Sequence, residues 1–185
     1  MFATPGRLPE GPRWRYEVHW AGLRVLVEIT EGRLRLTSWS ERDVTACFPE
    51  FAHLAGQQRD GLFDGEIVVL DGGVPSPAAL ARRLRAPAKA RGRDPGRPGT
   101  LVVFDVLRLY GVPLLDRSLD ERRSTLERVA VGSAPLVTLS PVYDDGPALL
   151  AATKQQRLRG VVAKHGDSPY RPGVRDASWV RVAHA

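Results

Sequence analysis

The run "RVLVEITEGRLRLTSW", Arg24 to Trp39, limits what this chain can fold into more than any other stretch. Two segments rich in Val, Leu, Ile and Thr flank Glu31-Gly32, a two-residue turn signal. They read as an antiparallel β-hairpin. Further strand signals surround it. "WRYEVHW" (14–20) alternates around Trp14, Tyr16 and Val18, and "GLFDGEIVVLDGG" (61–73) closes on Asp71-Gly72-Gly73. "TLVVFDVLRL" (100–109) reads as a buried strand, and "GVVAKH" and "SWVRVA" read as the closing strands. Helical signals are fewer. "PAALARRLRA" (77–86) has one apolar and one basic face. Ser118 and Glu121 form a capping box ahead of Leu119, Leu126 and Val129. A last helix follows Pro147 and runs to about Arg157. Strands outnumber helices and the hairpin comes early, which predicts an α+β fold with mostly antiparallel sheets. Residues 1–13, rich in Pro and Gly, read as an extended arm. Residues 87–99 carry four basic residues and no apolar face, and read as a flexible basic loop.

The 185 residues, 43% of them hydrophobic, suit a single domain over 1–185. The 27 Lys and Arg exceed the 21 Asp and Glu, a formal charge of +6. That surplus suggests an anionic partner, nucleic acid first and nucleotide second, although an Arg-rich composition alone also raises the charge. One cysteine, Cys47, excludes an internal disulfide and a cysteine-rich zinc site, and makes a reducing compartment the default. The first residues lack the apolar stretch of a signal peptide. No run approaches the roughly 18 apolar residues of a membrane span.

No Ser/His/Asp or Cys/His set has convincing spacing, and no Walker-type glycine loop is present. The four histidines, His19, His53, His165 and His184, lack metal-type spacing, so no metal site is expected. Polar residues on strands remain: Glu17, His19, Arg24, Glu66, Asp105, Lys164 and Arg181. Taken singly, each fits a solvated strand face.

Taken in order, the segments resemble the adenylation (nucleotidyltransferase) domain of ATP-dependent DNA ligases, of the bacterial end-joining type. The resemblance runs from "ATPGRLPEGPRWRYEVHWAGLRVLV" through "RDVTACFPE", "LFDGEIVVLD" and "LVVFDVLRLYGVPLLDRSLDERR" to "RGVVAKHGDSPYRPGVRDASWVRV". It implies a ligase-type (ATP-grasp-like) fold, with two mainly antiparallel sheets around a nucleotide cleft flanked by helices. The family's second domain, an OB-fold, is not among these residues. In the family, a K-x-D-G-x-R lysine attacks the α-phosphorus of ATP and becomes lysyl-AMP, and Mg²⁺ and basic side chains neutralise the phosphates.

Carried over by position, the resemblance gives a mixed result. His19 stands for the lysine and Ala21 for the aspartate, while Gly22 and Arg24 match. Glu17 matches an adenine contact, Glu66 a ribose contact and Phe104 the ring that stacks on adenine. In Arg159-Gly160-Val161-Val162-Ala163-Lys164 a metal-supporting glutamate has become arginine, while Val161 and Lys164 match. Trp39 stands where an arginine is usual. The last motif, Trp179 to Ala183, keeps a cation at Arg181 and loses one at Ala183. Groups for base and sugar persist, whereas groups acting on triphosphate and metal are largely gone. The resemblance therefore implies a ligase-like pseudoenzyme that binds ATP or AMP, with Mg²⁺ only if it is active. Its expected partners are nicked or broken duplex DNA and repair proteins. The expected setting is a monomer in the bacterial cytoplasm, associated with the nucleoid. Arg82, Arg83, Arg85, Lys89, Arg91, Arg93 and Arg97 are the candidate DNA contacts. The alternatives are an active nucleotidyltransferase using His19 and a protein-interaction module without nucleic acid.

Overall fold

The structure is a computed structural model that describes residues 1–85, 97–129, 131 and 134–184. Its hairpin pairs β3 (Leu23–Thr30) with β4 (Arg33–Ser38), Thr30 opposite Arg33. Glu31 and Gly32 turn with φ of 51° and 72°, the left-handed pair that a two-residue hairpin requires. Short helical turns at Thr45–Cys47 and Pro49–Phe51 and a helix, α1 (Leu54–Gln57), lead to β5 (Asp60–Asp71). That strand folds back through β6 (Val74–Pro75) into α2 (Pro77–Arg85). Next come β7 (Gly99–Leu109), β8 (Val112–Pro113), α3 (Leu119–Arg128) and β9 (Val137–Leu139). These strands form a seven-stranded sheet in the order β4-β3-β5-β7-β8, with β6 beside β5 and β9 beside β7.

A second sheet has four strands. β1 (Phe2–Pro5), β2 (Trp14–Val18), β10 (Gly160–His165) and β11 (Arg175–Ala183) lie in the order β1-β11-β10-β2. A helix, α4 (Gly146–Gln155), covers its outer face, where Tyr16, Leu149, Val161 and Ala163 are buried together. Most pairings are antiparallel. The exceptions, β1 with β11 and β7 with β9, are parallel. The amino-terminal stretch is therefore no free arm, since Phe2–Pro5 is an edge strand and Met1 is buried. The capping box forms as expected: Ser118 N–H donates to Glu121, and Ser118 Oγ accepts from the Glu121 amide.

The large sheet buries one face in the main core, around Val27, Leu36, Phe51, Phe63, Leu101 and Val103. β7 does not alternate simply. Its register against β5 slips twice, leaving Phe104 and Leu107 without Cα partners. Each slip is a β-bulge, which re-aims a side chain locally. Val103 and Val106 consequently stay in the main core, while Phe104 and Leu107 join Tyr170 and Trp179 on the side of the small sheet.

Ion pairs built on two fully buried aspartates connect the layers. Asp105 on β7 receives two 2.8 Å hydrogen bonds from Arg122 on α3. Arg122 also donates to the carbonyl of Ser168, in the segment between β10 and β11. Asp64 on β5 accepts from Arg24 on β3 and from Tyr170 of that same segment, at 2.7 Å. Removing one partner of a buried pair leaves an uncompensated charge. Arg122→Ala should therefore lower unfolding stability by about 3–5 kcal/mol. Arg13→Ala, which breaks an exposed pair with Asp167, should cost less than about 1 kcal/mol. Denaturant unfolding of the two variants checks this contrast.

Candidate nucleotide cleft

A cavity of about 250 Å³ opens between the two sheets. Its lining includes Glu17, His19, Arg24, Glu66, Phe104, Lys164 and Arg181, so seven of the residues singled out from sequence converge on one place. Two others do not line it. Gly22 sits in the turn behind, where its N–H donates to Glu66 Oε1 at 2.5 Å. A Cβ at Gly22 would lie 2.3 Å from the Ile67 carbonyl oxygen, so the turn closes only with glycine there. The neighbouring Ala21 holds φ at 54°, a conformation that costs a residue with a Cβ about 1–2 kcal/mol. Val161 is corrected outright: strand alternation turns it to the α4 side, and Val162 faces the cavity instead.

Several polar groups expected to meet a ligand are bonded to one another. Lys164 Nζ donates to Glu17 Oε1 at 2.6 Å, with both side chains almost wholly buried. The ammonium lies 4.2 Å from the Phe104 centroid and 4.5 Å from that of Trp179. Arg24 is bound to Asp64 and lies 5.6 Å from the Phe104 centroid. Glu17, Asp105 and Lys164 are thus interior residues, contrary to a solvated strand face. Burial pushes the Glu66 carboxyl up, partly offset by the Gly22 amide.

Other atoms in the wall are left without partners. Ser140 Oγ, Trp179 Nε1, Trp20 Nε1 and His19 Nδ1 are buried and unbonded. Unmet groups of this kind are costly, typically about 1–3 kcal/mol each, and a bound ligand or water removes that cost. His19 continues the β2–β10 ladder, its N–H donating to Gly160 O at 2.9 Å. Its imidazole pKa falls to about 4, through burial first and then the charges of Arg181 and Arg159. Trp39 stands at the rim, 68% exposed. Arg159 lies outside the lining, in an adjoining depression with Trp20, Ala21 and His184. Neither side chain plugs the cavity.

Phe2, Ser140 and Arg175 also line the cleft and were not anticipated. Phe2 arrives through the parallel pairing of β1 with β11, which no local pattern announces. Trp179, by contrast, stands in the last motif of the sequence.

The basic surface is only partly as expected. Arg83 is buried, its guanidinium held by Glu50 at 2.5 Å and by the carbonyls of Cys47 and Arg97. It ties the turn at 47–50 to the start of β7, so the second face of α2 is not uniformly basic. Arg82 and Arg85 are exposed, and Arg97 is exposed and pairs with Asp71. Lys89, Arg91 and Arg93 lie outside the described residues, as does most of the expected basic loop.

A model of the ATP dependent DNA ligase domain matches residues 7–182. The multifunctional non-homologous end joining DNA repair protein LigD of Mycobacterium tuberculosis is 38% identical over all of this chain, which spans 24% of that protein. Its counterpart from Mycolicibacterium smegmatis is 34% identical over 98% of the chain and 23% of its own length. The chain thus spans about a quarter of these relatives. Among solved structures, the ligase domain of M. tuberculosis LigD superposes with a TM-score of 0.82 and 37% identity over 98% of this chain and 58% of that one. A mycobacterial DNA ligase D complexed with ATP and MES gives 0.81 and 38%, with the same coverage. The two sheets and their cleft are the ligase nucleotidyltransferase fold.

The titration of His19 follows from this geometry. Its folded pKa lies below the ordinary value of 6.5, so the unfolded chain binds the extra proton first. His19 therefore removes stability as pH falls from 6.5 toward 4. An NMR titration should give a midpoint about 4 for this residue, and a midpoint at 6.5 would show that the ring is solvated.

Proposed function

Because this chain belongs to the ATP-dependent DNA ligase domain family, we propose that it is a ligase-like domain that binds an adenine nucleotide and broken or nicked DNA without forming a covalent adenylate. The observation that carries the reading is a formed cleft whose reactive position holds His19 in place of an amine. Aromatic walls at Phe104 and Trp179 can pack against a base, an interaction worth about 1–3 kcal/mol. Glu66 lines the cleft with one oxygen accepting from the Gly22 amide, which supports a ribose contact through the other. Base and sugar thus find groups that fit them.

The residues do not fit a metal-assisted triphosphate. The carboxylates in the cavity wall are Glu17 and Glu66. One is held by Lys164 and the other by the Gly22 amide, and Arg159 brings positive charge where the family has a carboxylate. Attack on the α-phosphorus also needs a nucleophile within about 3–3.5 Å, and an imidazole reaches less far from the backbone than a lysine amine. A role in DNA repair fits the chain's likeness to the end-joining LigD proteins. The exposed Arg82, Arg85 and Arg97 support DNA contact, together with Lys89, Arg91 and Arg93.

Incubation with α-labelled ATP and either Mg²⁺ or Mn²⁺ should leave the protein unlabelled after denaturation. Stable label would overturn the reading, and its loss in His19→Ala would assign the chemistry to His19. Binding to nicked duplex should weaken as salt rises, with a log–log slope of roughly one per phosphate contacted. Replacing Arg82 and Arg85 by alanine should reduce that slope by about two. No binding at low salt would favour a protein-interaction module instead.

A further inference from the structure

Three of the four tryptophans are placed by the fold. Trp14 packs edge-on against His165, Trp179 packs against Phe104 and Tyr170, and Trp20 is half-buried in the cleft wall. Trp39 differs. It is the most exposed large apolar side chain among the described residues, and none of them stacks a ring or a cation on it. A single exposed apolar residue is ordinary, so exposure alone assigns nothing. The position of Trp39 does, because it lines the rim of the cleft and the turn that carries it is closely bonded. Ser38 N–H donates to Arg42 O and Glu41 N–H to Ser38 O, each at 2.9 Å. Arg42 N–H donates to Ser38 Oγ at 3.2 Å, and Thr37 faces Asp43 across the reversal. Trp39 N–H donates to the carbonyl of Arg24 at 3.3 Å, which ties the turn to β3 beside the Arg24–Asp64 pair. The indole is thus held out on a fixed backbone, with only two side-chain torsions to settle on contact.

Charge points to the class of partner. Arg42 stands in the same turn, and Arg175 and Arg181 of β11 line the cleft. All three are exposed, and none of them has a carboxylate within ion-pair distance among the described residues. Glu17 and Glu66 in the cleft wall are already bonded, and Asp43 pairs with Arg35. Glu41 is the one acid among residues 39–42. No apolar patch of the kind a protein partner covers continues from Trp39 along the turn, since Ser40, Glu41 and Arg42 are polar and exposed. A bare ring set among cations suits a nucleic-acid strand, with a base on the ring and phosphates along the charges.

We propose that Trp39 is a stacking platform for an unpaired base at a DNA end, so that the chain prefers ends with a single-stranded overhang. This platform rests on the DNA contact proposed above and specifies the form of DNA that the chain takes. It reads no sequence, because every base offers a face to stack.

Fluorescence anisotropy with the whole chain tests it, using one duplex whose short overhang consists either of thymidines or of abasic residues. The two probes carry the same phosphates and differ only in their bases. The thymidine overhang should bind at least about five-fold tighter. Trp39→Ala should bring that ratio toward one without changing the salt dependence, because stacking releases no counterions. Trp39→Phe should keep most of the preference. Trp39 belongs to no core cluster, so both variants should melt like the unaltered chain. Equal binding of the two overhangs, or a preference that survives in Trp39→Ala, would refute the platform while the DNA reading stands. Loss of AMP affinity in Trp39→Ala with the overhang preference intact would put the ring over the cleft instead, and would also refute it. Absence of binding to either duplex at low salt would overturn the platform and the DNA reading together.

Discussion

Asp64 and Asp105 sit opposite one another on β5 and β7, both without solvent contact, and each depends on its own arginine. Those arginines come from β3 and α3, and the same two clusters draw in Tyr170 and Ser168 from the segment between β10 and β11. A buried carboxylate without its partner is costly enough to unfold a marginal domain, so these bonds fix how the small sheet stands over the large one. The cleft is the gap that this clamp leaves open. Its aromatic wall belongs to the same cluster, since Phe104, Tyr170 and Trp179 pack together around the arginine and lysine side chains.

The clamp separates scaffold from chemistry. Residues that shape the cleft are tied into the buried network or into turns that tolerate little change: Arg24 to Asp64, Glu66 to Gly22, and Lys164 to Glu17. Of positions 19, 21, 159 and 183, His19 lines the cavity, Ala21 and Arg159 lie in an adjoining depression and Ala183 is exposed near the end of β11, and none belongs to a hydrophobic core cluster. A chain can exchange its amine for an imidazole and a carboxylate for a guanidinium there while keeping the fold intact. That allows substituted motif positions and a well-formed pocket to coexist. The exchange is not neutral electrostatically. Burial depresses the His19 pKa first, and the charges of Arg181 and Arg159 lower it further.

Much of this was legible in the sequence, for physical reasons. The hairpin declared itself through Glu31-Gly32, α3 through its capping box, and the cleft residues through ordered motifs. What was hidden depended on distant pairings. Two register slips against β5 carry Phe104 into the cleft, although "TLVVFDVLRL" reads as one uninterrupted buried strand. Parallel pairing with β11 turned a Pro- and Gly-rich start into a strand that supplies Phe2. Arg83 looked like part of a basic helix face because Glu50, its partner, lies 33 residues away in the chain. Val161 was misplaced by one position, which on a strand means the opposite face.

Mass spectrometry of one sample, protein with ATP and Mg²⁺, tests the central claim most directly when recorded under native and then denaturing conditions. The account predicts a nucleotide-bound species in the native spectrum that disappears on denaturation, leaving only the unmodified chain. An AMP-sized mass increase that survives denaturation would contradict it, because the cleft would then still perform the covalent step.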